Sequence, residues 1–347
     1  MSKLYNLFED IREEKILPKT IIVGENTHES IYFDGNIEHD ILNFIRTNFY
    51  ISDKDEMFNE LIKVINKAST LTGNIYKYFF KRLACDVKIK SCKYSVNEVL
   101  DNDELLQATY NFTTNNRKVF ARGIVDNIET SFRVGSLFAA KPPNFPYKEM
   151  LNILERYLSD GGNYYDPSCG WGIRLLASAA KKDINYFGTD VNDKLVVKLN
   201  ELINYINMIK PLFNAKIYLQ GSEYFIEKLE NNIDFIFTSP PYFDLEDYVH
   251  GDQSIKNKNY NAWLTEYAYP TMDNCIRYLK VDGIVAFNIK NINKKQPCYD
   301  DFYNYLQSKP NLVFLETIEL KNIMRITPKK DVKHLNNNED IMVFKKC

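Results

Sequence analysis

The residues Thr238-Ser239-Pro240-Pro241-Tyr242 place a hydroxyl, a carbonyl that precedes a proline, and an aromatic ring next to one another. Neither proline can donate to a sheet ladder, and each fixes its own φ, so the backbone here is stiff. A stiff tip of this composition suits a flat molecule bearing an amino group: two oxygens can accept from its N–H bonds while the ring covers one face. A second set of residues lies upstream. Asp166-Pro-Ser-Cys-Gly170-Trp-Gly172 has the glycines of a turn that lets a ligand approach the backbone, and Asp190 follows Gly170 by twenty residues. An acid at that spacing, at the end of the next strand, is placed to bind the two hydroxyls of a ribose. A nicotinamide dinucleotide would satisfy these features, but the third spaced glycine is missing and hydride transfer has no need of the proline tip.

The elements that must hold these residues are legible as alternating strands and helices. Ile233, Phe235, Ile236 and Phe237 predict a buried strand that the prolines stop. Before it, the pattern predicts a helix over 147–158 and a turn at Gly161-Gly162. A strand over 163–165, a helix over 173–181 and a strand over 184–188 come next. Asn192 is suited to cap a helix that runs to Ile209, ahead of Pro211, and a third strand is expected over 215–219. After the tip come a helix over 263–279, a strand over 284–289 beyond the Asp282-Gly283 turn, and two closing strands over 312–320 and 341–345. Such alternation predicts parallel βαβ units. Proline clusters at 142–146 mark the entry to this region.

Residues 1–135 read differently, as a mixed, mainly helical domain. Helical spacing is present over 4–16, a hairpin fits 20–33, and 53–68 predicts an amphipathic helix with Leu61, Val64 and Ile65 inward. Over 76–93, Lys77, Lys81, Arg82, Lys88, Lys90 and Lys93 alternate with aromatics, a combination found on nucleic-acid surfaces. An amphipathic helix with a solvated lysine face is the preferred account of any single residue there.

Composition narrows the classes. The 347 residues are 45% hydrophobic with a formal net charge of −2, which disfavours a protein that coats nucleic acid non-specifically but leaves room for a local basic face. No run approaches the roughly twenty apolar residues of a membrane helix, and the acidic N-terminus does not read as a secretory signal, so a cytoplasmic location is expected. Six cysteines are scattered without metal-ligand spacing, and no metal site is expected.

The Ser239-Pro240-Pro241-Tyr242 tip, the glycine loop and Asp190 together resemble the S-adenosylmethionine-dependent DNA amino-methyltransferases, over about residues 141–345. The order here, glycine loop before tip, differs from many members, in which the halves are permuted. The resemblance implies an α/β fold of the class I methyltransferase, Rossmann-like type. Its mostly parallel seven-stranded sheet would lie over 136–347, and S-adenosylmethionine would be the cofactor. It places Asp166, Pro167, Gly170 and Gly172 beside the methionine part, Asp190 on the ribose, Ser222 or Glu223 near the adenine, and Phe145 in the family's extra cofactor motif. Ser239 and the Pro240 carbonyl would accept from the target amine, Pro241 would stiffen the tip, and Tyr242 would stack on the base.

The implied partner is double-stranded DNA with the target base flipped out, the stretch 243–261 with Tyr248, His250, Gln253, Lys256 and Lys258 holding the nucleotide. Serine at the first motif position favours cytosine N4 over adenine N6. An RNA methyltransferase of the same fold, or a catalytically silent binding subunit, are the rival readings, and a restriction nuclease is a possible companion. Sequence recognition falls to residues 1–135 or to 320–340.

Overall fold

The computed structural model describes residues 18–22, 30–34, 39–116, 124–133, 138–249, 251, 256–320 and 340–347. The helix expected over 4–16, the positions His250 and Gln253, and most of the 320–340 stretch lie outside the described residues.

Two compact units form. One comprises Met1–Ile51, Lys81–Pro143 and Asp247–Val249, the other Ser52–Phe80, Asn144–Glu246 and His250–Cys347. The proline cluster is therefore a point of passage between units, as its composition led one to expect. The segment 52–80, in contrast, belongs with the sheet and not with the helical unit, so the units do not divide at 135/136.

The larger unit holds a seven-stranded sheet. Its strands are β1 (Gly162–Asp166), β2 (Ile184–Asp190), β3 (Ala215–Leu219), β4 (Ile233–Thr238), β5 (Leu279–Ile289), β6 (Leu312–Ile318) and β7 (Asp340–Lys346). Their order is β3-β2-β1-β4-β5-β7-β6. The first five run parallel, and β7 inserts antiparallel between β5 and β6. That order, with its reversal between β1 and β4 and its one antiparallel insertion, is the class I methyltransferase fold. A crevice at the carboxyl ends of the strands, beside such a reversal, is where open α/β sheets bind ligands.

The local sequence explains the central strands. Ile233, Phe235, Ile236 and Phe237 are all fully buried, as a strand covered on both faces requires. Helix α1 (Tyr147–Tyr157) leads into β1, and α2 (Ile173–Ala179) and α3 (Asp193–Ile209) make the first crossovers. The Asn192 side chain caps α3 by accepting from the Leu195 amide at 3.1 Å. All seven residues of α2 are buried, because it packs against α1, against β2 and against the helix Lys54–Ile65. Leu61, Val64 and Ile65 of that last helix face inward as expected. Burial of α2 on so many sides is why 52–80 joins the sheet unit.

Beyond the tip, the helical run begins with α4 (Tyr260–Trp263), widens to a π turn (Leu264–Ala268) and continues as α5 (Tyr269–Tyr278). β5 starts earlier than expected, since the chain passes through Asp282 at φ 66° without leaving the strand. A further helix, α6 (Cys298–Gln307), was not legible in the sequence. Its apolar face is short, with Cys298, Phe302 and Leu306 buried.

The smaller unit has a helical core built on Ile45, Phe49, Val99, Leu106 and Phe132. Pro18–Ile22 and Ser30–Asp34 pair antiparallel, the expected hairpin. One expectation needs correcting. Lys81 is not a surface lysine: it is 2% exposed, and its ammonium bonds Glu129 at 2.6 Å and lies over the Phe49 ring. Lys77 and Arg82 fall in different units, and Phe79 and Phe80 are buried, while Arg82, Lys88, Lys90 and Lys93 are exposed, so the stretch divides between core and solvated surface.

Candidate active site

The loop after β1 is stitched to the end of β2. The Cys169 amide donates to the Thr189 carbonyl at 3.0 Å, and the Thr189 hydroxyl donates to the Pro167 carbonyl at 2.8 Å. The Gly170 amide points at Asp190 Oδ2, 3.4 Å away. Gly170 and Gly172 both adopt left-handed backbone, at φ 53° and 70°, so each is required for the turn itself. They differ in what a side chain would meet. A Cβ on Gly172 would lie 2.9 Å from the Phe80 ring, whereas one on Gly170 meets nothing closer than the Arg174 guanidinium at 3.8 Å and the Ser168 carbonyl at 3.9 Å. Gly172 is thus a packing glycine, and Gly170 is the one that leaves the loop open.

Asp166 is turned inward. It is fully buried, with Oδ2 accepting from Arg174 Nε at 2.7 Å and from the Tyr186 hydroxyl at 2.8 Å. Its Oδ1 takes the Ser168 amide at 3.3 Å. Arg174 also donates to the Ser168 carbonyl. The carboxylate expected beside the methionine part of the cofactor therefore positions the loop from beneath. Tyr164, next to this network, donates to the Phe237 carbonyl at 3.0 Å and so ties β1 to the strand that carries the tip.

Asp190 has the opposite character. It ends β2, accepts only two backbone amides, from Asn192 at 3.0 Å and from Gly170, and has no ion pair among the described residues. Burial pushes its carboxyl up to about 6, and the two amides only partly offset that. A carboxylate held at a strand end with spare acceptor capacity fits a ribose diol, and a loop free of a Cβ at Gly170 fits a ligand lying against it. Binding through the ionised form has a definite pH dependence. Below pH about 6 the ligand-free carboxyl holds a proton that binding must expel, so affinity for S-adenosylhomocysteine should weaken toward tenfold per pH unit. Calorimetry in buffers of different ionisation heat should show proton release near that pH and none in Asp190→Asn.

Ser222 and Glu223 follow β3. The Ser222 hydroxyl is buried and bonds Thr271 at 2.9 Å, while Asn274 donates to both backbone carbonyls, at 3.0 and 2.9 Å. Helix α5 thus fixes this segment, and the Glu223 carboxylate folds back over Gly221. Phe145 packs its ring edge-on against Phe237 with centroids 5.1 Å apart, just below the tip.

At the tip, Ser239 is partly exposed and Pro240 is buried. The Lys290 amide donates to the Tyr242 hydroxyl at 3.0 Å, which pins the ring through the residue after β5. Thr238 is fully buried and its hydroxyl has no partner among the described residues. Because β4 lies beside β1, the tip and the glycine loop open on the same end of adjacent strands. Sequence reasoning missed one residue here. Tyr267, on the π turn, brings its hydroxyl to 3.4 Å from Ser168 Oγ. Among the described residues no cluster of acidic, histidine or cysteine side chains could hold a metal.

Residues 233–347 match the DNA methylase family N6_N4_Mtase, and the resemblance to the amino-methyltransferases read from the tip and loop thereby stands. The chain is 33% identical over 135 residues to the Type II methyltransferase M.BamHI of Bacillus amyloliquefaciens, a match covering 38% of this chain and 30% of that protein. It therefore spans less than a third of the curated relative's length. Similar solved structures include a SAM-dependent O-methyltransferase from Thermotoga maritima, 12% identical, covering 59% of this chain and 67% of that one, with a TM-score of 0.38. An rRNA methylase from Streptococcus thermophilus is also 12% identical, covering 59% and 98%, with a TM-score of 0.37. The fold assignment rests on strand order and not on these two. No helix among the described residues is long and apolar enough to cross a membrane.

Proposed function

We propose that this protein transfers a methyl group from S-adenosylmethionine to the exocyclic amine of a flipped DNA base, cytosine N4 ahead of adenine N6. The observation that carries the reading is the Ser239–Tyr242 tip at the end of β4, beside the glycine loop of β1 and matched within the DNA methylase family. The cofactor, when bound, supplies an electrophilic methyl on a sulfonium; Asp190, Gly170 and the 222–223 segment are the residues that would hold it. The chain's own task is to make a poor nucleophile attack. The lone pair of a base amine is delocalised into the ring. Ser239 Oγ and the Pro240 carbonyl, accepting from both N–H bonds, favour a pyramidal nitrogen and stabilise the charge that develops on it. The prolines and the pinned Tyr242 supply positioning, and water can take the released proton, so no strong base is needed.

A base inside a duplex cannot reach the tip, and we place the extruded nucleotide against 243–261. Sequence recognition is proposed for the helical unit or for 320–340, and a cognate nuclease remains a companion to look for. The test is mass analysis of nucleosides from DNA and RNA of cells expressing the protein, beside a Ser239→Ala control. N4-methylcytosine in DNA is the expected product. N6-methyladenine in its place would change the base, a signal confined to RNA would change the substrate, and none in either would remove the activity.

A further inference from the structure

The π turn over Leu264–Ala268 interrupts an otherwise α-helical run; such turns occur mostly as single insertions in helices and are frequent at functional sites. Its neighbours Leu264 and Ala268 are buried in the core, as is Trp263, fully so. Tyr267 alone of this group is partly exposed. Its hydroxyl lies 3.4 Å from Ser168 Oγ in the loop after β1 and is near Ser222 after β3. Burial pushes its pKa above the ordinary tyrosine value, and the nearby carboxylates of Glu223 and Asp190 push in the same direction. One phenol therefore faces all three strand ends that the cofactor reading uses, and it stays neutral there.

We propose that Tyr267 is a cofactor-binding residue: its ring and hydroxyl form the wall of the pocket on the adenosine half, between Asp190 and the 222–223 segment. This rests on the cofactor reading given above. A tyrosine present only for packing would need no polar partner from the glycine loop, and it would not sit beside Asp190, a carboxylate whose ionised form burial disfavours. A hydroxyl already partnered by Ser168 is held in place before a ligand arrives, so the wall is preorganised and little ordering remains to oppose binding.

The experiment measures S-adenosylhomocysteine and 5′-methylthioadenosine, which lacks the amino-acid portion, by calorimetry on the full chain. The parent, Tyr267→Phe, Tyr267→Leu and Asp190→Ala are compared. Loss of the hydroxyl should weaken both ligands by about threefold to tenfold, and loss of the ring by about tenfold to a hundredfold. Both tryptophans flank the site, Trp171 in the glycine loop and Trp263 with its ring 6.1 Å from Tyr267, so quenching of their fluorescence on binding is a second readout. Thermal midpoints of the ligand-free proteins separate a purely structural role, which would lower the midpoint and leave both dissociation constants at the parent value. That result overturns the proposal, as does a loss seen with S-adenosylhomocysteine but not with methylthioadenosine. A parent protein that binds neither ligand overturns the cofactor reading and this proposal together, and is distinguished by failing before any substitution is made.

Discussion

Ser239→Ala should slow single-turnover methyl transfer by on the order of 10²–10³ while the dissociation constant for S-adenosylhomocysteine stays at the parent value. The separation follows from where the hydroxyl stands. Ser239 is on the tip after β4, whereas the residues proposed for the cofactor come from the ends of β1, β2 and β3 and, with Tyr267, from the π turn. An acceptor aimed at an amine that gains positive charge only as the methyl arrives stabilises the transition state more than the ground state. Tyr242→Ala should behave differently, losing affinity for the flipped base along with rate. Stacking of this kind contributes about 1–3 kcal/mol before chemistry begins. Duplex DNA with an abasic position opposite the target lowers the cost of flipping and should partly restore the tyrosine variant but not the serine variant. Burst amplitude and rate in quench-flow, with the two DNAs side by side, make the comparison. Full-rate transfer by Ser239→Ala would remove the hydroxyl from the mechanism.

What could be read beforehand was whatever local pattern decides. The prolines ended β4 because no other conformation is open to them, and the glycine loop turned left-handed at Gly170 and Gly172 because only glycine does so without strain. Asp190 stands at a strand end because the spacing set by one βαβ unit puts it there. What could not be read depends on partners distant in the chain. Asp166 has the same motif position whether its carboxylate faces a ligand or, as here, Arg174 and Tyr186. Gly172 looks like a ligand-approach glycine until Phe80, from a segment expected in another domain, is found packed on it. Tyr267 lies in a stretch whose apolar spacing predicts an ordinary core helix, and nothing in that spacing announces a π turn. Lys81 shares its stretch with exposed lysines, and only a carboxylate 48 residues away separates it from them.

That lysine carries the largest expected effect on stability. Glu129 bonds two ammonium groups in the helical unit, Lys81 and Lys141, each at 2.6 Å. The lysine side chains are 3% and 5% exposed, and Lys81 also donates to the Phe49 carbonyl. Burial pushes the Glu129 carboxyl up, but the two cations prevail and hold it at about 2, against 4.5 in the ordinary range. Burial likewise lowers Lys81, with Glu129 opposing. Glu129→Gln leaves two buried cations facing each other without a counter-charge, and should destabilise the protein by about 3–5 kcal/mol. Urea denaturation should show this as a lower midpoint with an unchanged slope. The pH dependence has the same origin. A carboxyl depressed in the folded state contributes stability that is fully present above its unfolded value. That contribution, on the order of 3 kcal/mol, is lost as pH falls from about 4.5 to about 2. The parent should therefore weaken across that window, and Glu129→Gln should weaken less. Replacing the whole cluster by apolar residues of similar volume, as Lys81→Met, Glu129→Leu and Lys141→Met together, should recover most of the loss. The triple variant needs no desolvated charge, whereas the single one strands two. A single variant as stable as the parent would mean that water reaches these ammonium groups, and the cluster would then count as surface.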